Sequence, residues 1–145
     1  MSIHHYLMDD CSIEVPDGFR DLTAHALSWE LADGSLGALL IQREPKPADL
    51  SDLGKYVDEQ THDYPTRFAG FHLESREVAT EDSPFPMARQ AFRWHGGADV
   101  FYHHQAFVLR GATVLVFTAA AKAPHRQAID EMLDLVLKSF AVRAP

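Results

Sequence analysis

Residues 87–122, MARQAFRWHGGADVFYHHQAFVLRGATVLVFTAAAK, decide the fold. Three strand-like runs, 87–95, 99–109 and 112–121, are divided by two short glycine turns, Gly96-Gly97 and Arg110-Gly111. Connections this short join antiparallel neighbours, so the stretch is predicted to be a three-stranded meander. Along 99–109 one face carries Phe101, His103, Gln105 and Phe107, and the other Tyr102, His104, Ala106 and Val108. Neither set is the charged face that water would cover.

Upstream of this meander, residues 71–79 read as a further strand, ended by the polar stretch 80–83. Residues 24–31 and 36–43 form a hairpin across Asp33-Gly34, and 3–8 and 12–15 read as short edge strands before a Pro16-Asp17-Gly18 turn. Two helices punctuate the strands. The first is predicted over 49–64, with Leu50, Leu53, Val57 and Tyr64 on its apolar stripe, Asp49 as N-cap and Pro65 at its far end. Gln60 falls on that stripe, where an apolar residue belongs. The second covers 124–140, with Ile129, Leu133, Val136, Leu137 and Phe140 on one side. No βαβ alternation occurs. The fold class expected is α+β: an antiparallel sheet of about six to eight strands with two helices on one face, in a single domain over residues 1–145.

The hairpin faces are unequal. His25, Leu27, Trp29 and Leu31 are predicted to face the core, as are Leu39 and Ile41. Opposite them lie the small or smooth residues Ala24, Ala26 and Ser28, then Ala38, Leu40 and Gln42. That second surface needs a cover. The chain's own loops, a second copy, another protein and a small ligand all remain open at this point.

Composition narrows the function. The formal net charge of −8, with Lys and Arg scattered singly, argues against nucleic-acid partners. The one cysteine, Cys11, makes no internal disulfide, which fits a reducing compartment. The opening Met1-Ser2-Ile3-His4-His5-Tyr6 lacks the basic head and apolar run of a secretory signal, and no run approaches the roughly 20 apolar residues of a membrane span. A cytoplasmic protein without stable membrane association is expected. Adjacent histidines such as His103-His104 point to opposite faces of a strand, and no zinc spacing occurs, so no metal or cofactor is expected. The serines lack a nucleophile elbow, and no catalytic residue is assigned.

The chain resembles the effector-associated (Eag-type) chaperones of bacterial type VI secretion, which have a DcrB/PsbP-like fold. The resemblance is carried by Ile13-Glu14-Val15-Pro16-Asp17 ahead of Phe19, Leu40-Ile41-Gln42-Arg43, Tyr56-Val57-Asp58-Glu59-Gln60, Gly70-Phe71-His72-Leu73, Phe92-Arg93-Trp94 and Gln105-Ala106-Phe107-Val108. It implies a dimeric cytosolic protein that cradles the N-terminal transmembrane helices of a secreted effector. It also implies a client groove formed by Ala24, Ala26, Ala38, Leu40 and Gln42, with Gln60 and Gln105 as its polar positions. Ala24, Ala26 and Ala38 are smaller or less polar than the family pattern. The alternative is a DcrB/PsbP-like module for protein or small-ligand binding without a secretion client.

Overall fold

The two strands that are apolar on both faces, 99–109 and 112–121 by sequence, organise the structure. The computed structural model describes residues 3–7, 11–17, 23–79 and 85–140. Its elements are β1 (Ile3–Leu7), β2 (Ser12–Pro16), β3 (His25–Glu30), β4 (Leu36–Pro45), α1 (Leu53–Thr61), α2 (Tyr64–Arg67), β5 (His72–Ala79), β6 (Met87–Gly96), β7 (Asp99–Arg110), β8 (Thr113–Lys122), a 3-10 turn (Ala123–His125) and α3 (Arg126–Ser139). Strands β3-β4-β8-β7-β6-β5 make one six-stranded antiparallel sheet, and β1-β2 form a separate hairpin. The α+β class, the antiparallel meander and the β3–β4 hairpin are as the sequence predicts. Met8, Gly18, Phe19 and residues 80–84, which entered the sequence reading, lie outside the described residues.

The placement of the helices differs from expectation. Helix α3 packs on Tyr102, Ala106 and Val108 of β7 and on Leu115, Phe117, Ala119 and Ala121 of β8. Helix α1 packs on Phe107, Val114 and Val116, the alternate residues of the same strands, and on Ala88 of β6. Successive strand residues point to opposite sides, so the helices sit on opposite faces of the sheet, not together on one. The physical reason is the two-sided apolar pattern of β7 and β8, which one layer of helices cannot cover.

Local chemistry sets the helix ends. Asp52, not Asp49, caps α1: its carboxylate accepts from the amides of Gly54 (2.9 Å) and Lys55 (3.4 Å). Pro65 does not end α1; it sits in the first turn of α2, where its missing amide proton costs no helical bond. In α3, Ile129 and Leu133 are fully buried, each contributing roughly 1.5–3 kcal/mol of apolar transfer. The polar edge of α3 is tied down as well, by Tyr102 donating to Asp130 (2.7 Å) and by Arg89 pairing with Asp134 (2.7 Å). Tyr102 is buried against that carboxylate, and both effects push its phenol pKa up.

The hairpin contributes less core than expected. Leu31 and Leu39 are buried, and Trp29 and Ile41 pack against them half-buried, but Leu27 is 57% exposed and His25 is exposed too. Strand β3 is a sheet edge, while α3 makes its main contacts with β7 and β8.

Candidate binding groove

On the α1 side, the sheet register sorts side chains into transverse rows. The lowest of three runs Val78, Ala88, Phe107, Val116, Gln42, and α1 covers its centre with Leu53, Tyr56 and Val57. The next runs Arg76, Gln90, Gln105, Thr118, Leu40, Ala26. Above it lie Phe92, His103, Ala120, Ala38 and Ser28. In the lowest row α1 reaches across to Val116 of β8, but in the two rows above it Thr118 and Ala120 are only half-buried. Towards β3 the floor is open: Ala26, Ser28, Ala38 and Gln42 are exposed, Leu40, Thr118 and Ala120 are half-buried, and Leu36 is 66% exposed.

Two contacts fix the wall of this opening. The Tyr56 hydroxyl donates to Glu44, tying α1 to β4 just beyond Gln42. Burial, reinforced by that carboxylate, drives the Tyr56 phenol pKa upward, so the hydroxyl keeps its proton. At the other end, Tyr64 packs with Phe68, Phe71 and Phe92, and Phe68 leans on Trp94 and His103. His103 stacks on Phe92 with ring centroids 4.8 Å apart and accepts the Trp94 indole proton at Nε2 (2.9 Å). Burial lowers its pKa to about 4, so it is a neutral member of an aromatic wall. His104 points the other way, as alternation predicts, with Nδ1 2.8 Å from Asp130.

Five of the residues read from sequence therefore share one surface: Ala26, Ala38, Leu40 and Gln42 on the floor, with Ala24 one residue beyond the β3 pairing. Gln60 is exposed on α1, one turn after Tyr56, and so on the edge of the helix that faces β4. Gln105 is elsewhere. It is only 4% exposed, and its amide is engaged below the helices with Gln90, Tyr64 and Thr118. Thr118 and Ala120 belong to the floor and escaped the sequence reading; they join it through register with Leu40 and Ala38 across two strands distant in the chain.

A serine, a histidine and a carboxylate do meet outside the groove. Ser35 Oγ donates to Asp33 (2.6 Å), and His125 Nε2 faces both Asp33 (2.8 Å) and Ser35 (3.3 Å). One ring nitrogen serves both partners, whereas a catalytic triad divides them between two. The hydrogen bonds from Ser35, then from His125, pull the Asp33 pKa down. This cluster joins the β3–β4 turn to the start of α3. Among the described residues, no three His, Cys, Asp or Glu gather as a metal site, and no helix is long and apolar enough to cross a membrane.

The six-stranded antiparallel sheet with helices on both faces is an α+β fold. The sequence matches the DcrB family over residues 10–139, and the chain belongs to that family. Solved structures similar to it include PA94 of Pseudomonas aeruginosa, a protein of unknown function (TM-score 0.76, 16% identity, 99% of each chain covered). PsbP of the cyanobacterium Synechocystis is similar at TM-score 0.57 and 14% identity, over 98% of this chain and 93% of that one. LpqN of Mycobacterium tuberculosis, involved in cell envelope biogenesis, matches at TM-score 0.57 and 10% identity, over 84% and 85%. At these identities the likeness is one of fold. No curated protein matches the sequence.

Proposed function

We propose that this protein is a cytoplasmic chaperone that shields the N-terminal transmembrane helices of a type VI secretion effector before export. The observation that carries the reading is the open floor of Ala26, Ala38, Leu40 and Ala120 beside α1, apolar yet uncovered. Small side chains let a helix backbone approach closely, as they do between membrane helices. An apolar helix of about 20 residues is insoluble alone. Laying it on this floor recovers roughly 25 cal/mol for each Å² of apolar surface removed from water. Gln42 and Gln60 border the floor and supply polar contacts without a charge that an apolar client would have to desolvate. The reading includes a homodimer and assigns no reaction. An acidic chain of net charge −8 also avoids anionic membrane surfaces, which suits a carrier that must not deliver its client to the bilayer.

The test is co-expression with an effector encoded beside this protein that begins with hydrophobic segments. The effector fragment should become soluble and co-purify, and light scattering of the free chaperone should give twice 16.2 kDa. If the fragment stays insoluble and unbound, the protein is instead a DcrB-type interaction or small-ligand module without such a client.

A further inference from the structure

The buried row beneath α1 has a direction. Arg76 Nη2 donates to Gln90 Oε1 (2.8 Å), and Gln90 Nε2 donates to Gln105 Oε1 (2.7 Å). Gln105 Nε2 then donates to both Tyr64 Oη and Thr118 Oγ1, each at 3.2 Å. Amide oxygens and nitrogens look alike, but here the arginine removes the ambiguity, because a guanidinium can only donate. Gln90 must turn its oxygen to Arg76, so its nitrogen meets Gln105, whose own nitrogen must point at the hydroxyls. Asp58 holds the other side of Arg76 and fixes the start of the relay.

The relay ends where the groove opens. Thr118 and Tyr64 are half-buried, and Thr118 lies between Gln105 and the floor residue Leu40. Each hydroxyl oxygen already accepts from Gln105, while neither hydroxyl proton has an acceptor among the described residues. In the free protein, water takes those protons. Under a purely apolar helix they would be buried without a partner, at real cost; an unused oxygen lone pair costs far less.

We propose that Thr118 and Tyr64 form a donor-presenting notch that selects an apolar helix carrying a hydrogen-bond acceptor where it crosses the Thr118–Leu40 row. The inference rests on the groove reading above and narrows its client class. A threonine in the client meets the need well. Its own proton returns to the carbonyl four residues back in its helix, which leaves the oxygen free to accept.

The experiment uses a 20-residue Leu/Ala helix on a soluble carrier, with one Thr moved through it position by position, and a matched series with Val. At one register the Thr helix should bind about fivefold more tightly than its Val twin, the worth of one hydrogen bond. Thr118→Val with Tyr64→Phe, made together with Gln105→Leu so that no Gln105 amide is stranded, should make the Thr and Val helices bind alike at that register. Thr118→Ser, which keeps the hydroxyl, should retain it and guards against a folding artefact. If both series bind alike at every register, or the preference survives the triple variant, the notch is refuted while the groove stands. If no helix binds at all, the groove reading falls and the notch with it.

Discussion

Replacing Gln90 by Leu separates the worth of a buried hydrogen bond from the cost of an orphaned group. Gln90 is 1% exposed and Gln105 4%, so water replaces neither partner. In Gln90→Leu, Gln105 Oε1 loses its donor and Arg76 loses one acceptor, though Arg76 keeps Asp58 and Thr61. One unsatisfied buried group costs about 1–3 kcal/mol, so a loss of about 2 kcal/mol is expected. Gln105→Leu strands Gln90 Nε2 and should cost a similar amount. In the double variant no buried amide remains to be stranded, and Tyr64 and Thr118 are exposed enough to use water. It should therefore cost about 1 kcal/mol, well below the sum of the singles. At roughly 3–4 °C for each kcal/mol in a domain of this size, both singles melt several degrees low and the double lies closer to wild type. Urea titrations of the four proteins measure the coupling directly. Simple additivity would show that the two amides do not depend on one another, and the directed relay would lose its basis.

Other outcomes test the faces and the buried histidine. The folded pKa of His103, held near 4 by burial, lies below its ordinary value of 6.5, so the unfolded chain binds more protons between those values. Stability should then be full above pH 6.5 and fall on acidification through this window, by about 1.4 kcal/mol per pH unit at most. His103→Phe should flatten the curve by one proton's worth, and an unchanged slope would mean that the ring is not buried neutral. Ala26→Asp and Leu40→Asp should leave the melting temperature nearly unchanged yet abolish client co-purification, since the new charge is hydrated only while the groove is empty. Leu39→Asp, one residue along on the other face and 4% exposed, should unfold the protein, whereas Leu27→Asp at 57% exposure should not. Gly37 pairs with Trp29, and a Cβ there would come within 2.6 Å of the indole. Gly37→Ala should thus cost about 1–3 kcal/mol by overpacking and shift tryptophan fluorescence.

Strand order along the chain was largely legible, because turn chemistry and alternation are local. Gly96-Gly97 and Arg110-Gly111 mark the meander's turns, and Gly97 and Gly111 adopt the left-handed backbone that glycine permits. Which layer each helix joins was not legible, since the stripe of α1 is apolar whichever face receives it. The clue lay in β7 and β8, where both alternating sets are apolar. Leu27 misled for a similar reason: alternation gives its face but not its position at the sheet edge. Gln105 was found as polar yet misplaced, because its burial depends on Tyr64, distant in sequence. Thr118 carried no sequence signal at all inside an apolar run.

The backing of the groove has a consequence for how such proteins change over time. On β4, Ala38, Leu40 and Gln42 face the opening, while Leu39 and Ile41 between them join the core under α3. On β8, Thr118 and Ala120 alternate in the same way with Phe117, Ala119 and Ala121. Fitness for a partner and fitness to fold are thus written in interleaved letters of the same two strands. Drift can revise Ala38, Leu40, Gln42 and Ala120, which face the opening, and leave Leu39, Ile41, Phe117, Ala119 and Ala121 untouched. On the proposed reading, a lineage built this way exchanges one cargo for another through substitutions of near-neutral stability, without a rescue mutation elsewhere.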